Sequence, residues 1–439
     1  MQYNAFSKIF LAIGLAPFFA HAMDSAQNTS TPSTNEQYIV VLKSPVKNSQ
    51  MTAQSLDTLN ANLVNEQAMQ AVNQLGVKVG KKFHRMLNGF VVTANKQQVA
   101  DLAKLPSTAY IEPDYQVSII PVDNQPPTPS KKVQTKNVDW GLARIDQHKL
   151  SDVDGSYTYL YDGSGVTAYV VDTGLYYKHQ EFGGRASVYI NKKGKGYEKN
   201  PANDVGDCNG HGTHVSGTIA GGTSGVAKNV NVVGVRVLSC EGKGSDSDVI
   251  AGLEEVYTLA QQAKTPSVVN MSLGGPQVSQ ALEQAVDKLV NSGIPVVVAA
   301  GNKTSAVDVL DSCKGSPAHD PNAITVSASD EKDKRASYSY YGKCTNIFAP
   351  GSNIISAWIG NDHAYAKASG TSMASPHVAG VVALYLQENP KLTPTEISKE
   401  LTERSTTGAI NMNLGWFPGR KNKERAKETP NALVYSLPN

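Results

Sequence analysis

The chain lacks an excess of charge. Forty basic against 38 acidic residues leave +2 over 439 residues, so there is neither the basic stripe of a nucleic-acid binder nor the acidic block of a solvated tail. It also lacks a membrane span. The apolar run Ile9–Ala20 falls short of the roughly 20 residues that cross a bilayer, and no later segment does better. Two motifs are missing as well. Absence of HExxH argues against a zinc peptidase, and absence of G-x-S-x-G argues against the nucleophile elbow of lipases and esterases. Cysteine is scarce, four in all. What remains is an ordinary balance, with 40% hydrophobic and 18% charged residues and a mean hydropathy of −0.30. That describes a soluble globular protein of two or three domains, able to bury a sizeable core.

Lys8, the apolar run and Ala20-His21-Ala22 form the charged, apolar and cleavage regions of a secretory signal peptide over residues 1–22. Export puts the cysteines in oxidising surroundings, where an even count indicates disulfides. Three connectivities are open. Cys208 and Cys240 frame one stretch, Cys313 and Cys344 another of nearly equal length, and local pairing within each is favoured. Residues 23–36 are polar with no apolar period and are expected to be a disordered spacer. Over 37–120 the pattern predicts a strand at Tyr38–Leu42, a helix over 52–75, a strand at Gly89–Thr93, a helix over Lys96–Leu105 and a strand opening at Tyr110. This outlines a small ferredoxin-like α+β domain. Residues 121–137, with several Pro and Lys, read as an extended linker containing or adjoining a processing site. From 138 to 439 the Val- and Ile-rich segments Val166–Asp172, Val230–Val237, Ser267–Met271, Ile294–Ala300 and Ala323–Ser329 alternate with helical stretches. Such alternation predicts an α/β domain built on a doubly wound, mostly parallel sheet.

Ligands bind these sheets at the carboxyl ends of the strands, and the chemistry-bearing residues fall there. Asp172 closes the first segment; alone it would read as a turn former. His211 lies in Asn209-Gly-His-Gly-Thr-His-Val-Ser-Gly217, where a glycine-flanked loop enters a helix and small neighbours leave the ring room for a substrate. Ser372, in Gly370-Thr-Ser-Met-Ala-Ser-Pro-His377, opens an apolar helix. An N-cap would explain the serine, but not the small residues that let another chain approach it. Together the three supply what nucleophilic acyl transfer needs. A hydroxyl becomes a nucleophile once a neutral imidazole takes its proton, and a buried carboxylate fixes the imidazole's tautomer. The chain order Asp, His, Ser differs from the chymotrypsin and α/β-hydrolase orders.

The segments VVDTG, NGHGTHVSGT, NMSLGG, VVVAAGN and GTSMASPHVAG resemble those of the subtilisin-like serine proteases, in the branch containing proteinase K and aqualysin, from Trp140 to about Tyr435. Residues 37–120 resemble that family's inhibitory propeptide, on YIVVLK, LNGFVV and YIEPD. The resemblance implies a secreted serine endopeptidase made as a self-processing zymogen. Polypeptides would be its substrates, its own propeptide an intramolecular inhibitor, and the enzyme a monomer without a catalytic cofactor. It implies that Asn302 donates to the oxyanion beside the Ser372 amide. Ser272-Leu273-Gly274-Gly275 and Ala299-Ala300-Gly301 would line a broad, apolar first specificity pocket, their bare backbone edges pairing with an extended peptide. It supports Cys208–Cys240 and Cys313–Cys344 as the disulfides. Structural calcium is implied at an acidic cluster of Asp146, Gln147, Asp152 and Asp154. A second family site near Pro321 and Ala323 wants an Asp where this chain has Asn346.

Other readings suit these residues less well. An exported, inactive binding protein of the same fold would miss a triad residue, and none is missing. A zinc site from Cys208, His211, His214 and Cys240 fits no common finger spacing, which leaves His214 a core residue. Glycosylation at Asn302-Lys303-Thr304 would block the site just described.

Overall fold

The computed structural model describes residues 36–44, 53–119, 138–191, 196–305, 309–414 and 419–436. The expected signal peptide, the linker and all of the spacer but Glu36 lie outside the described residues. Glu36 opens the first strand.

The N-terminal domain runs β1 (Glu36–Leu42), α1 (Ala53–Leu75), β2 (Lys78–Phe83), β3 (Gly89–Ala94), α2 (Lys96–Ala103) and β4 (Thr108–Pro113). Its antiparallel strands are ordered β2-β3-β1-β4, the ferredoxin-like outline with one more strand than expected. That strand, KVGKKF, lies at the sheet edge with alternate residues exposed, so lysines are tolerated and the apolar signal is weak. β1 is apolar from Ile39 to Leu42, where both faces are covered. Val40 and Leu42 pack with Val64, Ala68 and Ala71 of α1, whereas Ile39 and Val41 join the core of the C-terminal domain. A short strand, β5 (Gln116–Ile119), follows.

The C-terminal domain contains, in order, α3 (Trp140–Ile145), β6 (Thr167–Asp172), β7 (Ala186–Asn191), β8 (Tyr197–Lys199), α4 (His211–Ala220), β9 (Asn231–Arg236), β10 (Lys243–Ser245) and α5 (Asp246–Ala263). Then come β11 (Ser267–Met271), β12 (Leu273–Gly274), α6 (Gln280–Val290), β13 (Val296–Ala299), β14 (Ile324–Ser329), β15 (Ile347–Pro350), β16 (Ile354–Ala357) and β17 (Tyr365–Ala368). The last elements are α7 (Thr371–Glu388), α8 (Pro394–Arg404), β18 (Thr406–Thr407), α9 (Arg420–Glu428) and β19 (Ala432–Leu433). Ten strands form one sheet, ordered β18-β19-β15-β14-β13-β11-β6-β9-β7-β8. Pairing is parallel from β19 to β7 and antiparallel only at the two ends.

Strand alternation builds two cores. Ala168 and Val170 of β6 face Val215 and Ile219 of α4 and Val378, Val381 and Val382 of α7. Tyr169 and Val171 face the opposite way, toward Val249, Leu253 and Val256 of α5 and Leu282, Val286 and Leu289 of α6. Each such buried aliphatic side chain contributes roughly 1.5–3 kcal/mol of transfer free energy. The second core continues into Ile39, Val41, Phe83 and Val91, so the N-terminal sheet covers α5 and α6 with its helix-free face. Polar contacts finish the junction. Glu112 accepts from Ser279 Oγ (3.0 Å) and Ala281 N–H (2.9 Å) at the start of α6. Asp114 accepts from Ser247 N–H (2.9 Å) and Oγ (2.7 Å) at the start of α5. Both carboxylates satisfy helix N–H groups that have no intrahelical partner.

Candidate active site

The carboxyl end of β6 and the first turns of α4 and α7 carry the three residues. Asp172 ends β6, His211 opens α4, and Ser372 is the second residue of α7; all three are fully buried. Asp172 Oδ1 lies 2.8 Å from His211 Nδ1 and accepts from Thr173 N–H at 2.7 Å. This fixes the tautomer, with Nδ1 protonated and Nε2 left as the base. Among the described residues Nε2 has no hydrogen-bond partner. Ser372 Oγ donates to the Ser272 carbonyl at 3.2 Å.

Asn302 follows β13 and is buried. Its carboxamide oxygen accepts from Thr371 N–H and Thr371 Oγ1, both at 3.0 Å. Since a backbone N–H can only donate, the oxygen is assigned to that side and the nitrogen is the outward donor. Burial also removes Asn302 from the glycosylation reading. Ser372 N–H lies in the first turn of α7, where backbone donors lack intrahelical acceptors. Both donor types suit a developing oxyanion.

Beside them is a pocket of about 270 Å³. Gly274, Gly275, Ala299, Ala300 and Gly301 line it, joined by Gly315, Pro317, Lys314 and Tyr340, which the sequence did not single out. Ser272 and Leu273 are not in its wall. Ser272 Oγ turns inward to the Ser372 carbonyl (2.9 Å) and Ser375 Oγ (2.8 Å). Leu273 is fully buried, because strand alternation sends its side chain into the core while its backbone stays at the edge.

That edge is occupied. β5 is the middle strand of a three-stranded sheet, antiparallel to β10 and β12, with Gly244 opposite Val117 and Gly274 opposite Ser118. Ile119 N–H donates to the Gly242 carbonyl at 2.9 Å. Gly242 has φ +71°, and a Cβ there would lie 2.8 Å from the Ile119 side chain, so only glycine suits the position. The chain thus lays its own extended segment between two strand edges beside Ser372. β10 carries no apolar or motif signal, and sequence reading missed it.

The disulfides are Cys208–Cys240 and Cys313–Cys344, which leaves no free cysteine among the described residues and removes the ligands of the zinc reading. His214 is a buried core residue whose Nε2 meets the carbonyls of Ile354 (3.1 Å) and Ala366 (3.2 Å). Burial, helped by His211, pushes its imidazole down to about 3, so it is neutral. The calcium expectation fares differently. Asp146 is buried with Oδ1 unpartnered, but the Gln147 carbonyl is taken by Arg144 and Asp154 by Ser156. Among the described residues no three His, Cys, Asp or Glu side chains converge as a metal site. The described residues therefore give the calcium expectation no support.

A buried Asp–His pair, a serine at a helix start and an amide donor beside a strand-pairing cleft are the groups that serine peptidase chemistry needs. Residues 163–423 match the family described as Subtilase family, and residues 37–119 the one described as Peptidase inhibitor I9. The chain belongs to the subtilase family. It is a subtilisin-like serine endopeptidase with an I9 domain as intramolecular inhibitor. It is 44% identical over 403 residues to an alkaline serine exoprotease A of Vibrio alginolyticus, covering 92% of this chain and 67% of that protein. It is also 44% identical over 371 residues to an extracellular serine proteinase of a Thermus species, covering 84% and 80%. Among solved structures, a cold-adapted subtilisin-like serine proteinase matches with TM-score 0.59 at 47% identity, covering 69% of this chain and all of that one. Fervidolysin from Fervidobacterium pennivorans shares the fold at TM-score 0.66 and 24% identity, over 93% of this chain and 61% of its own.

Proposed function

We propose that Ser372 is the nucleophile, His211 the general base and then acid, Asp172 its orienting carboxylate, and Asn302 with the Ser372 amide the oxyanion hole. The observation carrying this reading is β5, held as an extended peptide between β10 and β12 beside Ser372. A substrate polypeptide would take the same place once the propeptide leaves. Ser372 Oγ then rotates from the Ser272 carbonyl toward Nε2, a tightening expected as substrate seats. Its proton passes to His211 while Oγ bonds the scissile carbonyl carbon, and charge on the carbonyl oxygen is met by the two donors. Imidazolium returns the proton to the leaving amine, and water, activated by the same imidazole, hydrolyses the acyl-enzyme.

The same reading extends to processing and export. Residues 1–22 direct secretion, 37–120 fold as the inhibitory domain, and the linker 121–137 contains or adjoins the bond cut on maturation, ahead of the catalytic domain 138–439. The extracellular relative and the signal-like composition of residues 1–22 support export. Full-length Ser372→Ala tests the assignment. It should fold with its N-terminal domain covalently attached, because the first bond broken is its own. Normal self-processing by the purified variant would refute Ser372 as the nucleophile.

A further inference from the structure

Asp207 has no part in the chemistry above, yet it is 1% exposed and its carboxylate accepts five hydrogen bonds. Oδ1 takes Thr173 Oγ1 (3.1 Å), Asn209 N–H (2.9 Å) and Gly210 N–H (3.0 Å); Oδ2 takes Thr213 N–H (3.0 Å) and Thr213 Oγ1 (2.6 Å). These donors flank the catalytic pair. Thr173 follows Asp172, Asn209 and Gly210 precede His211, and Thr213 lies two residues past it. The segments also touch directly. Gly212 N–H donates to Thr173 Oγ1 at 2.9 Å, Gly174 bridges to Asp207, and a Cβ on Gly212 would lie 2.2 Å from the Gly174 carbonyl oxygen.

We propose that Asp207 is a positioning residue for the peptidase reaction, holding His211 in register with Asp172 and supplying negative charge at the positive end of α4. The first part follows from connectivity, since one carboxylate joins the end of β6 to the start of α4. The second follows from where His211 sits. As the first residue of α4 it lies at the end of a helix that disfavours imidazolium, the form the reaction requires. Asp207 occupies two of that end's backbone donors with a full negative charge. The other groups facing His211 are Asp172 from β6 and His214 one turn along α4, which is neutral. Arg236 on β9 is drawn off to Asp204 and the Cys208 sulfur.

The proposal rests on His211 being the base, so Ser372→Ala is assayed beside it. Activity in that control would overturn the triad reading, independently of Asp207. In full-length Asp207→Asn, one acceptor becomes an NH₂ that faces N–H donors in either orientation. Per titrated active site, kcat should fall about tenfold or more with KM changed less than about twofold. The acid limb of kcat/KM should move down by about half a pH unit, since imidazolium loses a stabilising charge. Thr173→Val keeps the charge and cuts the tether, so kcat should fall with the acid limb unmoved. A role in packing alone would lower the yield of titratable protein and leave both per-site values unchanged, and that result in Asp207→Asn would overturn the proposal. Should Asp207→Asn give no protein, an unchanged per-site kcat in Thr173→Val would overturn it instead.

Discussion

Raising the pH should loosen the N-terminal domain from the catalytic domain, and Asp246 should set most of the effect. Asp246 opens α5, is 1% exposed, and has Oδ2 without a hydrogen-bond partner among the described residues. Burial pushes its carboxyl up to about 7, and Asp114 and Glu112 of the N-terminal domain add to the rise. Once that domain departs, water and the loss of two neighbouring carboxylates should return Asp246 toward the ordinary value near 4. The associated state therefore binds more protons than the separated one. By linkage, association is strongest below about pH 4, weakens as pH rises, and levels off above about pH 7. One proton per site gives at most about 1.4 kcal/mol, or tenfold in Kd, per pH unit, and because the slope flattens near pH 7 the change from pH 5 to 7 is roughly fiftyfold. Glu112 and Glu254, both raised by burial at the same junction, act in the same direction. The assay should avoid catalysis, whose own pH dependence would intrude. Ser372→Ala protein with an engineered cleavage site in the 121–137 linker would be cut, diluted across pH 4.5–8, and separated into bound and free fractions. A Kd flat from pH 5 to 7, or a slope untouched by Asp246→Asn, would refute the reasoning.

Three further outcomes are expected. Asn302→Ala should lower kcat by about 10²–10³ with little change in KM, a magnitude taken from subtilisin rather than worked from this structure; steady-state kinetics on a peptide substrate would check it, and an unchanged kcat would place the oxyanion donors elsewhere. Gly242→Ala brings a Cβ to 2.8 Å from the Ile119 side chain at φ +71°, so propeptide inhibition should weaken and KM for extended peptides rise while kcat holds; equal inhibition constants would contradict the β5 placement. Replacing Cys313 and Cys344 by Ser opens a loop spanning a sequence separation of 31 and should cost about 3–4 kcal/mol in the chain-entropy account, read as a lower urea midpoint in the Ser372→Ala background.

The central strands were legible because they are buried on both faces. β6, β9, β11, β13 and β14 read as Val- and Ile-rich runs since α4 and α7 cover one side and α5 and α6 the other. Asp172, His211 and Ser372 stood out because each combines a reactive type with small neighbours at an element boundary. Edges were not legible. β2 hides behind lysines, and β5 and β10 have four and three residues, too few for any period, with partners more than a hundred residues apart in the chain; the β12 edge was expected only through the family resemblance. Residues acting through helix ends, such as Asp207, Glu112 and Asp114, were not singled out for that role, because capping depends on which helix arrives in space. Calcium at the acidic cluster gains no support from the described residues. Asp146, Asp152 and Asp154 are near in sequence, but Asp154 Oδ1 is taken up by its own turn with Ser156, and nearness in sequence does not by itself bring side chains together on an ion.

Covalent labelling tests the central claim most directly. The self-processed protein would be treated with an organophosphorus serine reagent until peptide hydrolysis ceases, then digested and mapped by mass spectrometry. The account predicts one adduct, on the peptide containing Ser372, with labelling lost in His211→Ala. An adduct on another residue that tracks the loss of activity, or undiminished hydrolysis with Ser372 fully modified, would contradict it.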